Sequence, residues 1–186
     1  VTRHLAKLIT IPVPSSAEIL IVLPEPPKRP FSKTKEQRKY RKIIRGVFSG
    51  YALRKVHICT VSKFFGLVPM ELDETYPLAQ HEVPRTIDLE SKRLISHTIK
   101  TYIKSHRYSA MILHLDHRVI GEGSVKRIVS LCNKLGVYVL VSPKGRVNPR
   151  GKQALEEFRD VLIGVHKTIL KPAESPADAV MKGAEN

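Results

Sequence analysis

Four short apolar runs alternate along the chain with longer stretches in which apolar residues recur every three or four positions. Ile19 to Leu23, Val56 to Val61, Ser109 to Leu115 and Val137 to Val141 are almost continuously apolar, as strands buried on both faces of a parallel sheet are. Between them, Tyr40, Ile43, Ile44, Val47, Phe48 and Tyr51 fall at helical spacing and predict a helix over about 35–51. A second stripe, Leu94, Ile95, Thr98, Ile99, Tyr102 and Ile103, follows Asp88, a residue type whose carboxylate accepts the free N–H groups of a helix start. A third carries Val125, Ile128, Leu131, Cys132 and Leu135, with Ser124 as the expected cap and Gly136 where a helix C-cap belongs. The last holds Leu155, Phe158, Leu162 and Val165 and is expected to begin at Asn148-Pro149, with proline in its first turn.

Strands alternating with helices predict a three-layer α/β/α domain on a mainly parallel four-stranded sheet, over residues 18–170. Residues 1–17 are expected to form an N-terminal arm or edge strand, and the Pro-, Ala- and Glu-containing residues 171–186 a disordered tail. In an open parallel sheet, ligands bind beyond the carboxyl ends of the strands. Four loops meet there: the Pro-rich loop after Leu23, Ser62 to Gly66, His114 to Arg118, and Ser142 to Arg146.

Charge sharpens this picture. The chain has 32 Lys and Arg against 17 Asp and Glu, a net charge of +15 and a pI near 10.0, far beyond what solubility requires. Between Lys28 and Arg45 only Glu36 is acidic, so a loop stiffened by Pro24, Pro26, Pro27 and Pro30 leads into a helix of one charge sign. Solvated faces usually mix signs; this one has the footprint of a polyanion site. The RNA-binding residues expected are Lys28, Arg29, Lys33, Lys35, Arg38, Lys39, Lys42 and Arg45 on the loop and helix, Lys63 after the second strand, and Lys144, Arg146 and Arg150 after the fourth. The helix after Asp88 adds Lys92, Arg93, Lys100 and Lys104. Phe64-Phe65 can stack on exposed bases or plug the core.

His114, Asp116 and His117 cluster at a strand end, but their spacing fixes no coordination geometry, so no metal, cofactor or catalytic residue is expected. Cys59 and Cys132 belong to no closely spaced pair and read as buried thiols, which suits a reducing, cytoplasmic compartment. No apolar run reaches the length of a membrane span, and a membrane surface is the least favoured partner.

The segment Gly66-Leu67-Val68-Pro69-Met70-Glu71-Leu72, continuing through Tyr76-Pro77 to His81-Glu82-Val83-Pro84, resembles a domain of archaeosine synthase. That archaeal enzyme is a relative of tRNA-guanine transglycosylase and acts on a modified base in tRNA. The resemblance covers roughly residues 18–142. The synthase family also has a signature after its first strand: Pro-Cys, three residues, Lys-Pro-Tyr, two residues, Ser, two residues, His. Here those positions hold Pro24 and Glu25, Arg29-Pro30-Phe31, Thr34 and Gln37. A carboxylate cannot act as a thiolate nucleophile, nor an amide move protons as an imidazole does. The resemblance therefore implies a fold that keeps its RNA partner and has dropped the reaction. The function expected is a non-catalytic RNA-binding protein docked on ribosomal RNA, with ribosomal proteins as neighbours; the alternative is a tRNA-binding accessory subunit in archaeosine modification.

Overall fold

The computed structural model describes residues 13–74, 88–145 and 147–170. The expectations for the first twelve residues, the segment through Tyr76-Pro77 and Val83-Pro84, Arg146 and the tail lie outside the described residues. Five strands form one sheet of order β3-β2-β1-β4-β5: β1 Ile19–Leu23, β2 Val56–Ser62, β3 Gly66–Pro69, β4 Ala110–His114 and β5 Tyr138–Ser142. β1 runs parallel to β2 and β4, and β4 parallel to β5. The mainly parallel α/β/α class is as expected, with one strand more than the sequence pattern predicts. Gly66–Pro69 turns back antiparallel on β2, pairing Ser62 with Gly66 and Cys59 with Pro69. Gly66 sits at φ 75°, and the four-residue strand ends in a proline, which only an edge strand tolerates. A run so short carries too little periodicity to be read as a strand.

The strands alternate their side chains between two cores. Ile19, Ile21 and Leu23 of β1 face one core with Ala110 and Ile112, under α1 Lys35–Val47 and, later in the chain, α6 Lys152–Ile169. Leu20 and Val22 face the other with Met111 and Leu113, under α3 Leu89–Ser105 and α5 Glu122–Lys134. All five β1 residues are fully buried. Burial of each such side chain contributes about 1.5–3 kcal/mol, so β1 is the axis of the domain.

Helix boundaries depart from the expected ones for local reasons. Thr34 caps α1 by accepting the Gln37 N–H at 3.3 Å. The helix ends at Val47 because Phe48 turns extended and Gly50 takes φ 52°. Tyr51 then starts a separate turn, α2 Tyr51–Arg54, and is 70% exposed rather than part of the apolar stripe. Asp88 caps α3 as expected, accepting from Ser91 N at 2.7 Å. Asp116 caps a one-turn helix, α4 His117–Ile120, and α5 begins after Gly121 rather than at Ser124. Gly136, at φ 71°, follows its C-terminus, as expected. The last helix starts at Lys152; Pro149 stays in the preceding loop, where its carbonyl accepts bonds from Tyr40 Oη at 3.0 Å and His114 Nε2 at 2.9 Å. Both cysteines are buried and unbridged, and burial pushes the Cys132 thiol up to about 11 and that of Cys59 well above its ordinary value.

Candidate nucleic-acid interface

The chain leaves β1 to build β2 on one side and returns to build β4 on the other. Their carboxyl ends diverge there, the position where open α/β sheets hold ligands. A cleft of about 200 Å³ lies at this point, lined by Pro24, Glu25, Lys63, Asp116, Asn148 and Arg150.

The Pro-rich loop beside it is pinned by a buried ion pair. Arg29 meets Glu25 Oε1 at 3.2 Å, with both side chains more than nine-tenths buried, and donates to Ser62 Oγ at 2.9 Å. The other carboxylate oxygen accepts the Lys63 N–H at 3.2 Å. The guanidinium lies 4.6 Å from the Phe31 ring centroid and 5.3 Å from that of Phe65. Burial raises the Glu25 carboxyl despite Arg29 and lowers the Arg29 guanidinium despite Glu25. A pair this desolvated fixes geometry more than it adds stability. Asp73 closes the loop from the far side, accepting from Phe31 N at 2.8 Å and Ser32 N at 2.6 Å. Gln37, fully buried on α1, donates to Pro24 O at 3.4 Å and Thr60 Oγ1 at 3.1 Å.

Positions 24, 25, 29–31, 34 and 37, where the resemblance sets the synthase signature, thus converge on one small region at the ends of β1 and β2. The side chains present there are an ion pair and an amide bound to their surroundings.

Outside this anchor the cations are free to face a ligand. Lys28, Lys33, Lys35, Arg38, Lys39, Lys42 and Arg45 are exposed. A groove of about 420 Å³ between the loop and the first turn of α1 is lined by Pro27, Lys28, Lys33, Lys35, Glu36 and Arg38. Lys33 makes an exposed ion pair with Glu74 at 3.7 Å, of the kind that contributes little. Arg38 donates to Lys33 O at 3.1 Å, which braces the guanidinium along the loop. A smaller concavity of about 140 Å³, lined by Glu36, Lys39, Tyr40, Arg150 and Leu155, lies between the groove and the cleft. The three share lining residues and so form one track: Glu36 belongs to the first two, Arg150 to the last two.

Arg29, also expected to touch phosphate, borders the same groove but turns its guanidinium inward. Its side chain is buried against Glu25, four residues earlier, and Ser62, thirty-three residues later, and the distant partner is the one that no local pattern reveals. Lys63 is half-buried at the cleft, Lys144 is exposed at the end of β5, and Arg150 spans the cleft, donating to Glu25 O. Phe64 is 48% exposed, whereas Phe65 packs with Phe31 and Val68.

The strand-end histidine does not face the cleft. His114 is fully buried, its Nε2 donating to Pro149 O and its Nδ1 accepting from Ser142 Oγ at 3.1 Å. Burial lowers its pKa to about 4. Asp116 bonds the Arg118 backbone N–H at 2.9 Å as well as the Arg118 guanidinium, and that arginine holds its carboxyl below the usual range. Among the described residues, no three His, Cys, Asp or Glu side chains group so as to hold a metal, and no helix is long and apolar enough to cross a membrane.

The chain is 32% identical over 114 residues to a tRNA-guanine(15) transglycosylase of Methanobrevibacter smithii, 61% of this chain and 16% of that protein. It is 28% identical over 130 residues to an archaeosine synthase subunit alpha of Methanosarcina acetivorans, 68% of this chain and 19% of that one. The chain thus spans less than a fifth of the length of these relatives. In fold it resembles the crystal structure of a protein of unknown function, with a TM-score of 0.55 and 11% identity over 86% of this chain and 49% of that one. The resemblance to archaeosine synthase read from the GLVPMEL run is upheld by these relatives. The model of a family described as a domain of unknown function, DUF5591, matches residues 1–162, and the chain belongs to that family.

Proposed function

We propose that this chain is an RNA-binding domain of the archaeosine tRNA-modification apparatus, which holds tRNA by its backbone and performs no chemistry of its own. The observation that carries the reading is the exposed cationic row from Lys28 to Arg45, set on a loop locked by the Glu25–Arg29 pair and Asp73. A rigid cationic surface binds phosphates with little ordering cost. Glu25 and Gln37, at the Cys and His positions of the synthase signature, leave that region without the thiolate or the imidazole of that signature. Both are also tied into buried hydrogen bonds.

Of the two RNA targets expected from sequence, tRNA is favoured over ribosomal RNA, because the named relatives are tRNA-modification proteins. Fluorescence anisotropy with a tRNA transcript and a ribosomal RNA fragment of equal length, followed by mass spectrometry of the tRNA, tests both parts. The expected result is preferential tRNA binding with no change in RNA mass. Equal affinity for the ribosomal fragment would remove the tRNA assignment, and a new mass on tRNA treated with the purified chain alone would make the chain an enzyme.

A further inference from the structure

The charge is not spread evenly over the helices. α6 mixes signs, carrying Lys152, Glu156, Glu157, Arg159, Asp160 and Lys167, as a solvated face does. α3 and α5, on the opposite side of the sheet from α1 and α6, do not. From Ser91 to Ser105 and from Gly123 to Lys134 there is no acidic residue. Asp88, Glu90 and Glu122 stand only at the N-terminal ends of these helices, where carboxylates cap or offset the helix dipole.

The basic residues of α3 form a row. Arg93, His97, Lys100 and Lys104 follow at intervals of four, three and four, opposite the buried stripe of Ile95, Ile99, Tyr102 and Ile103. They cover about 16 Å at 1.5 Å per residue. Exposed Arg107 continues the row past the helix end. Alongside, α5 exposes Lys126 and Lys134 on an open depression of about 550 Å³, and Arg127 beyond it. Among the described residues none of these Lys or Arg side chains is paired with a carboxylate. The helix and sheet layers hold the outer surfaces of α1 and α3 roughly 30 Å apart. That is well beyond the Debye length of about 8 Å at physiological salt, so the two faces act as separate electrostatic surfaces.

We infer that the outer face of α3 and α5 is a second phosphate-binding surface, which grips the backbone of an RNA segment other than the one held by the loop and α1. The domain then bridges two segments of a folded RNA. The chemistry recognised is the closely spaced phosphate row of a duplex. A lipid surface is the poorer match, since membrane-lying helices need an exposed apolar face and the apolar stripes here are consumed by the sheet.

Titration of the full chain with a labelled RNA duplex of one helical turn, too short to reach both faces, tests this directly. The wild type is expected to bind two duplexes. Arg93→Glu/Lys104→Glu/Lys126→Glu is expected to bind one, and to flatten the slope of log K against log salt for a folded RNA by about 2 to 3. The substituted side chains are exposed, so the unfolding midpoint should not move; should the reversals impair folding, glutamine at the same positions reads the same loss. A single duplex on the wild type, two on the variant, or a preference of this face for phosphatidylserine vesicles over duplex overturns the inference. Loss of the other site by Lys35→Glu/Lys39→Glu/Lys42→Glu is read separately, so the loop–α1 reading can fail while this one stands.

Discussion

At the scale of single residues, the strand-end cluster shows how burial decides what a histidine does. His114 has Nδ1 on Ser142 and Nε2 on Pro149 O, with Tyr40 and Phe158 rings 5.3 and 4.4 Å away. It holds the loop before α6 against β4 as a neutral imidazole. Burial depresses its pKa from 6.5 to about 4, so between these values the unfolded chain takes up a proton that the folded chain refuses. The folded state therefore keeps its full stability above pH 6.5 and loses it progressively as the pH falls towards about 4, by up to ~3 kcal/mol. Urea denaturation at neutral and mildly acid pH should show that loss in the wild type and a smaller one in His114→Gln. Equal pH dependence in the two proteins would mean that other groups govern acid stability. The sequence put His114 and Asp116 at a strand end with no geometry to join them, and the structure gives them separate partners.

At the scale of elements, the loop and α1 divide their cations by task. Arg29 is structural and Lys39 and Lys42 are exposed, so substitutions should separate stability from binding. Arg29→Met leaves Glu25 buried and unpaired, a loss on the order of 3 kcal/mol, read as a lower unfolding midpoint. Lys39→Glu/Lys42→Glu should leave that midpoint unchanged and flatten the salt slope of RNA binding by about 2. The opposite pattern would place the phosphate contact at Arg29. This division also marks what the sequence could show. The apolar stripes and the one-signed charge of α1 are local patterns, and they led to the right helix and the right exposed row. The burial of Arg29 depends on Ser62 at the end of β2, and the closure of the loop on Asp73 in the turn after β3, partners distant in sequence that no local pattern links to it. The misread starts of α5 and α6 follow glycine caps, Gly121 and Gly151, which lack a side-chain capping bond, whereas Ser124 and Pro149 offered stronger local signals in the wrong place.

At the scale of the whole molecule, the proposed function raises the question of which RNA the protein would accompany in the cell. The sequence favoured the ribosome because cations occur on α1, α3 and the strand-end loops together. The fold places α1 and α3 on opposite faces of the sheet with the mixed-charge α6 beside α1, so the charge forms separate strips rather than a coat. Strips suit a compact RNA with two accessible segments, and a protein held mainly by phosphate contacts should leave its RNA as salt rises. About seven phosphate contacts on the loop–α1 row correspond to a slope near −6 in log K against log salt, a loss of several thousandfold in affinity between 50 and 200 mM. Sucrose-gradient fractionation of lysate at low and moderate salt reads both the target and this lability. On the proposed function the protein sediments in the light fractions with tRNA at low salt and separates from it as salt is raised. Co-sedimentation with ribosomal subunits that survives the higher salt would instead mean that ribosomal RNA is the physiological partner, and the strips would then have to engage two rRNA helices rather than two segments of one tRNA.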